Sequence, residues 1–149
     1  MMKFSATVTL QYDTPFSSFS HEQWRDGLDW MKQSNLDGAE LCISNYENVD
    51  PYKIREELDI RGLGCSTLST GQARGLEGLS LIGVLPDKVR ETQKRFLQHI
   101  DTAATLGSKV TIGLMRGLGT EVTKSQDLHN LSEALKPLIE YADKKGVIL

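Results

Sequence analysis

The chain has 149 residues, about one domain's worth, with 39% hydrophobic and 25% charged side chains, an ordinary globular composition able to bury a core. Its net charge of -3, from 17 basic and 20 acidic residues without a basic cluster, argues against a nucleic-acid footprint, and its longest apolar stretches are too short to span a bilayer. Met1-Met2-Lys3 leads into a strand-like run rather than a signal sequence, and Cys42 and Cys65 have neither a CxxC partner nor a metal-ligand spacing. The expectation is a cytoplasmic protein with two buried core thiols.

Residues 4–10 read as a first strand, followed by a polar and aromatic loop over 11–19. Ser20 and Gln23 have the spacing of a capping box, and the helix they open places Trp24, Leu28 and Met31 on one face, with Trp24 and Trp30 packing against neighbouring elements. Gly38 precedes a second strand at 39–43. Asp50-Pro51 opens a second helix, since Asp accepts orphan backbone donors and Pro suits the first helical position; Ile54 and Leu58 face inward, and Gly62 or Gly64 ends the helix. A third strand covers 63–68, and a long glycine-rich loop, 69–85, has the length of a functional or disordered segment. Pro86 starts a third long helix, 86–106, with Val89, Phe96, Ile100, Ala103 and Ala104 as its apolar stripe and Gly107 as its stop. A fourth strand spans 109–114, before a second glycine-rich loop, "MRGLGT". The last helix, 125–145, buries Leu128, Leu131, Leu135, Leu138 and Ile139, with Pro137 as a kink or break; Gly146 then leads into an apolar run, 147–149, that opens a fifth strand.

Alternating strands and helices call for a parallel sheet with right-handed crossovers. A five-stranded flavodoxin-like sheet fits the length, but it needs a fifth helix over its last strand, and the first loop, "LQYDTPF", has no glycine for a phosphate turn. The other architecture explains the ending directly: an α/β chain of parallel (βα) repeats forming the N-terminal half of a TIM barrel and stopping at the start of strand five. On that reading residues 1–149 are one partial barrel domain, shortened by truncation, by a frame interruption or by retention of half a gene.

Three segments carry a resemblance. "DGAELCIS" (37–44), "LSTGQARGLEGLSLIG" (68–83) and "HIDTAATLGSKVTIGLMRG" (99–117) resemble, in order, segments of the xylose isomerase-like TIM barrels, a family that includes sugar-phosphate isomerases and epimerases and the endonuclease IV-like proteins. The likeness covers nearly the whole chain but only the family's N-terminal half. It implies a divalent metal (Mn, Mg, Co or Zn) at the C-terminal mouth of the intact parent, held mainly by residues of strands five to eight, and two proton-moving glutamates from that same half. No metal ligand and no catalytic residue is therefore expected in this chain. The DNA-repair branch uses histidines after strands two and three; here Ser44-Asn45-Tyr46 and Ser69-Thr70-Gly71 stand there, which argues against that branch.

What remains are substrate-binding candidates at the C-terminal strand ends, where barrel sites form. Tyr12 could stack on a sugar or cap the barrel end. Glu40, a carboxylate inside a strand, needs a partner: a sugar hydroxyl, a neighbour it orients, or a core Lys or Arg. Gly71 and Gln72 offer backbone approach, a donor and an acceptor to a polyol, and Arg116 offers a fork for phosphate or carboxylate. His21, His99 and His129 lie in helices and read as surface or packing residues. The leading functional expectation is the N-terminal part of a metal-dependent sugar or sugar-phosphate isomerase/epimerase, silent by itself, with a small sugar or sugar phosphate as its partner and neither nucleic acid nor membrane. The alternatives are a half-barrel assembly module, pairing as a homo-oligomer or with a separate C-terminal half, and a flavodoxin-like small-ligand-binding protein.

Overall fold

A computed structural model describes residues 2–149. The strands are β1 (Ser5–Thr9), β2 (Gly38–Cys42), β3 (Gly64–Ser69) and β4 (Lys109–Thr111), and the helices are α1 (Trp24–Gln33), α2 (Pro51–Arg61), α3 (Gln72–Glu77), α4 (Pro86–Leu106) and α5 (Lys124–Lys144). All strand pairs are parallel and the order is β1-β2-β3-β4. That order decides between the two architectures. A doubly wound sheet reverses direction at a switch point, whereas strands added strictly in sequence belong to a barrel wall. The chain is half of a TIM barrel, and the flavodoxin-like reading is overturned. At the far edge the Val110 amide donates to the Ile148 carbonyl at 2.9 Å, so residues 147–149 lie alongside β4 as the opening of strand five.

Register explains why one face of the sheet is covered. Val8, Leu41, Leu68 and Val110 stand opposite one another across the four strands, and all four are buried. They share one core with Leu28 and Met31 of α1, Ile54 and Leu58 of α2, Phe96, Ile100 and Ala103 of α4, and Leu138 and Ala142 of α5. Each such aliphatic side chain taken from water contributes about 1.5–3 kcal/mol. Because side chains alternate along a strand, the flanking rows turn the other way. Those rows are Thr7–Glu40–Thr67–Lys109 and Thr9–Cys42–Ser69–Thr111. The face without helices is therefore polar.

Local chemistry sets the boundaries. The Asp50 carboxylate accepts from the amides of Tyr52 (2.9 Å) and Lys53 (3.4 Å) at the start of α2, and Gly62 (φ +68°) ends that helix. A Cβ on Gly38 would sit 2.4 Å from the Gly64 carbonyl oxygen, so the close approach of β2 to β3 requires glycine there.

Several expectations are corrected. The first helix has no capping box: Ser20 donates to the Gln23 side chain (3.1 Å), and Asp13 accepts from the His21 amide (2.7 Å) ahead of a 3-10 turn, His21–Gln23. The stretch 69–85 contains α3, anchored by buried Ala73, Leu79 and Leu81 in spite of its glycines. The fourth strand ends at Thr111 and gives way to a 3-10 turn, Gly113–Arg116. Cys65 is only half-buried, and Trp30 is exposed beside Phe19. Ala104 is exposed, as are Leu128 (60%) and Ile139 (54%), while α5 buries Ala134, Leu138 (1%) and Ala142 and continues through Pro137. The helical period is right, but among the described residues no further helix covers the Leu128–Ile139 flank.

This asymmetry of α5 is measurable by urea unfolding. Leu138→Ala should cost about 2–5 kcal/mol. Leu128→Gln and Ile139→Gln, on the open flank, should each change stability by no more than about 0.5 kcal/mol.

Candidate functional site

The C-terminal ends of β1, β2 and β3 are tied together by two glutamines. The Gln11 carbonyl oxygen accepts from the Ser44 and Asn45 amides (2.9 and 3.1 Å), and its amide nitrogen donates to Asn45 Oδ1 (2.8 Å). Gln72, at the first position of α3, donates to the Tyr12 carbonyl (2.8 Å) and accepts from Ser44 Oγ (3.1 Å). Asn45 Nδ2 closes the ring by donating to Tyr12 Oη (3.2 Å). Two candidates read from the sequence, Tyr12 and Gln72, thus belong to one network. Gln72 uses both ends of its amide within the protein, and Tyr12 keeps an exposed ring. Gly71 adjoins the network at the N-terminus of α3; its φ of -61° is ordinary, and an added Cβ would meet Leu114 at 3.7–3.8 Å, a normal contact. Neither space nor backbone angle demands glycine there.

Glu40 lies one layer deeper on the polar face, half-buried, and accepts from the Ser69 hydroxyl. Its partner is a serine at the end of β3, not a core Lys or Arg. Arg116 is not brought to this network. It is exposed, donates to the Gly113 carbonyl (3.3 Å), and lines a separate cleft of about 250 Å³ with Lys124, Glu121 and Asp127.

Beside the network an open cleft of about 490 Å³ lies between Tyr12, Asn45, Tyr46 and Glu47 on the strand-end loops and Glu77, Arg95 and Gln98 on α3 and α4. The Arg95 guanidinium grips Glu77 with two bonds (2.9 and 2.7 Å) and also donates to the Ser44 carbonyl. Behind it Tyr46 Oη meets His99 Nδ1 at 2.7 Å. The His99 ring is fully buried (0% exposed), edge-on to Tyr46 and Phe96, and its Nε2 has no partner. Burial, reinforced by the Arg95 charge, pulls its pKa down to about 3, and burial raises that of Tyr46. His99 is a packing residue, neutral at ordinary pH. Another cleft, of about 340 Å³, opens among Asp37, Arg55, Asp59 and Gly107 at the N-terminal end of the strands, the end where barrels keep stability rather than chemistry.

The thiols are not nucleophiles: burial, and secondarily the Glu40 charge, lift Cys42 to about 11, and burial lifts Cys65 to about 11 as well. Among the described residues no three His, Cys, Asp or Glu side chains converge to hold a metal ion. The donor set present does not fit the metal that the resemblance implies. No helix among the described residues is long and apolar enough to cross a membrane.

Comparison with known proteins settles the ancestry. Residues 28–149 match the family described as the xylose isomerase-like TIM barrel. The chain belongs to this family. No curated protein matches it. Solved structures of similar fold include L-ribulose 3-epimerase (TM-score 0.68, 19% identity, 95% of this chain and 47% of that one). D-allulose 3-epimerase from Methylomonas sp., in complex with D-allulose, gives a TM-score of 0.69 at 14% identity over 98% of this chain and 49% of that one. A sugar phosphate isomerase/epimerase from Parabacteroides distasonis gives 0.59 at 13% identity over 99% and 50%. At these identities the likeness shows the fold. This member of the family spans about half the length of each of those chains.

Sequence reasoning missed Gln11, Ser44, Asn45, Glu77 and Arg95, whereas His99, read there as a surface or packing residue, is a packing residue. One signal was present: Thr92, Arg95 and His99 share the inward stripe of α4 with Phe96 and Ile100, and polar residues at core spacing need partners. Gln11 and Asn45 meet across 34 positions of chain, which no local pattern reveals.

Two outcomes are expected. Gln72→Ala should destabilise the fold by about 1–2 kcal/mol by orphaning its partners, and hydrogen exchange should quicken at Ser44 and Asn45. Between its ordinary value of 6.5 and about 3, His99 binds a proton only in the unfolded chain, so acid favours unfolding in that window and the associated stability is complete above it. The urea midpoint should therefore fall more steeply between pH 6.5 and 4 in the native protein than in His99→Gln; parallel slopes would show that His99 is not held neutral.

Proposed function

We propose that this chain supplies the N-terminal half of the barrel of a cytoplasmic sugar or sugar-phosphate isomerase/epimerase. The observation that carries this reading is the polar network at the C-terminal ends of β1, β2 and β3, the end where barrel sites form. It sits in a chain whose fold neighbours include sugar epimerases. In this reading the Tyr12 and Asn45 side chains meet sugar hydroxyls, the Gly71 backbone lies beside them, and Gln72 holds the Tyr12 loop in place. Glu40, oriented by Ser69, faces the barrel interior, where it would hydrogen-bond a bound polyol. Arg116 would meet a substrate long enough to reach the loop after β4. The divalent metal and the proton-moving carboxylates would come from the second half, so this chain alone would bind without turning over.

The assembly alternative is narrowed by one contact. Two copies closing an eight-stranded barrel would pair β4 of each with β1 of the other, but residues 147–149 already lie on the β4 edge. A complementary C-terminal half, covalent or separate, fits the free β1 edge better than a second copy.

The test is isotope exchange. In deuterated buffer with Mn(II), residues 1–149 alone should leave the C3 proton of D-allulose unexchanged. Joined to the C-terminal half of the Methylomonas D-allulose 3-epimerase, they should exchange it. Exchange by the chain alone, or a folded chimera that neither binds nor exchanges the sugar, would contradict the reading.

A further inference from the structure

We infer that the mouth formed by this half of the barrel is selective for the uncharged part of a polyhydroxylated ligand and disfavours a phosphate ester there; the inference rests on the sugar reading above and refines it. A phosphate needs donors that are free and a field that is positive. The cleft beside the network provides neither a free cation nor a positive field. Its charged residues are Arg95, Glu47 and Glu77, one cation against two carboxylates, a formal net charge of -1. Arg95, its one cation, is already engaged: its two terminal nitrogens bind both oxygens of Glu77, and one also binds the Ser44 carbonyl. A phosphate entering the cleft would have to compete with Glu77 for the guanidinium while facing Glu47.

The neighbouring cleft after β4 is no better placed. There Arg116 and Lys124 are matched by Glu121 and Asp127, a formal net charge of zero, and Lys124 already approaches Glu121 at 3.5 Å. Arg74, the remaining cation of α3, donates to Ser80 Oγ at 3.0 Å. What the mouth does offer is neutral: the Tyr12 hydroxyl, which accepts from Asn45 Nδ2 and keeps its own proton to donate, and the exposed Gln98 carboxamide, which can donate and accept, as a hydroxyl-rich ligand needs. The exposed Tyr12 ring adds an apolar surface for the C–H face of a sugar.

The experiment is an amide chemical-shift titration of residues 1–149 with three probes: D-fructose, D-fructose 6-phosphate and inorganic phosphate. The expected result is that D-fructose moves the Asn45 and Glu47 amides and the Asn45 and Gln98 side-chain amides. The 6-phosphate should bind at least tenfold more weakly, and inorganic phosphate should leave these signals in place. Glu77→Gln, which releases Arg95, should raise affinity for the 6-phosphate at least fivefold while that for D-fructose stays within twofold. Glu47→Gln, at an exposed position, should shift the ratio in the same direction. A phosphate ester that binds as tightly as the free sugar, or inorganic phosphate that moves the Arg95 signals, would overturn the selectivity and leave the sugar reading standing. D-fructose that moves none of these signals would overturn both.

Discussion

Everything in this half barrel depends on one packed row: Val8, Leu41, Leu68 and Val110, in register across four parallel strands and roofed by helices on a single side. A row of branched aliphatic side chains that must leave water fixes the register, because a slip by one residue would put threonines and Glu40 beneath the helices instead. The same register sends Thr7, Glu40 and Thr67 to the opposite face and lines up the C-terminal strand ends at one rim. Core and mouth are therefore consequences of one alignment, the first through hydrophobic burial and the second through the alternation that burial imposes.

At that rim the protein spends its polar side chains on holding itself together. Gln11 and Gln72 bridge three strand ends, and Arg95 ties α4 to Glu77 and to the Ser44 carbonyl. Groups bound in this way position others. The Tyr12 ring, left facing outward, is neutral. His99 and Tyr46 lie behind the rim as a buried pair in which burial, not catalysis, sets the protonation state.

The repeating architecture was legible because its punctuation is local. Asp50-Pro51, Pro86 and Gly107 mark helix ends through backbone chemistry that needs no knowledge of neighbours, and 86–106 emerged from the sequence with the bounds the structure has. Burial was less legible, since it depends on what lies across from a face: Leu128 and Ile139 have the same spacing as Leu138 yet stand in the open. The short helix α3 was hidden by its glycines, because its stability comes from Ala73 and the Leu79–Leu81 segment packing into the core rather than from helix propensity. Of the site, the residue types near strand ends could be picked out. Their pairing across 33–60 positions could not, nor could the departure of Arg116 to a different cleft.

The sheet runs β1-β2-β3-β4, and among the described residues no strand pairs with the outer edge of β1. Phe4 accepts from Asp37, and Leu10 donates to Cys42, so the even-numbered residues of this segment face β2; Ser5 and Thr7 turn their amides to the side where no described strand pairs. Residue-resolved hydrogen exchange on residues 1–149 tests this directly. The account predicts that the Ser5 and Thr7 amides exchange at rates close to those of the loops while Leu41 and Leu68 stay protected. Protection of Ser5 and Thr7 equal to that of Leu41 in a monomer would mean that another strand covers β1, and the half-barrel account would be wrong.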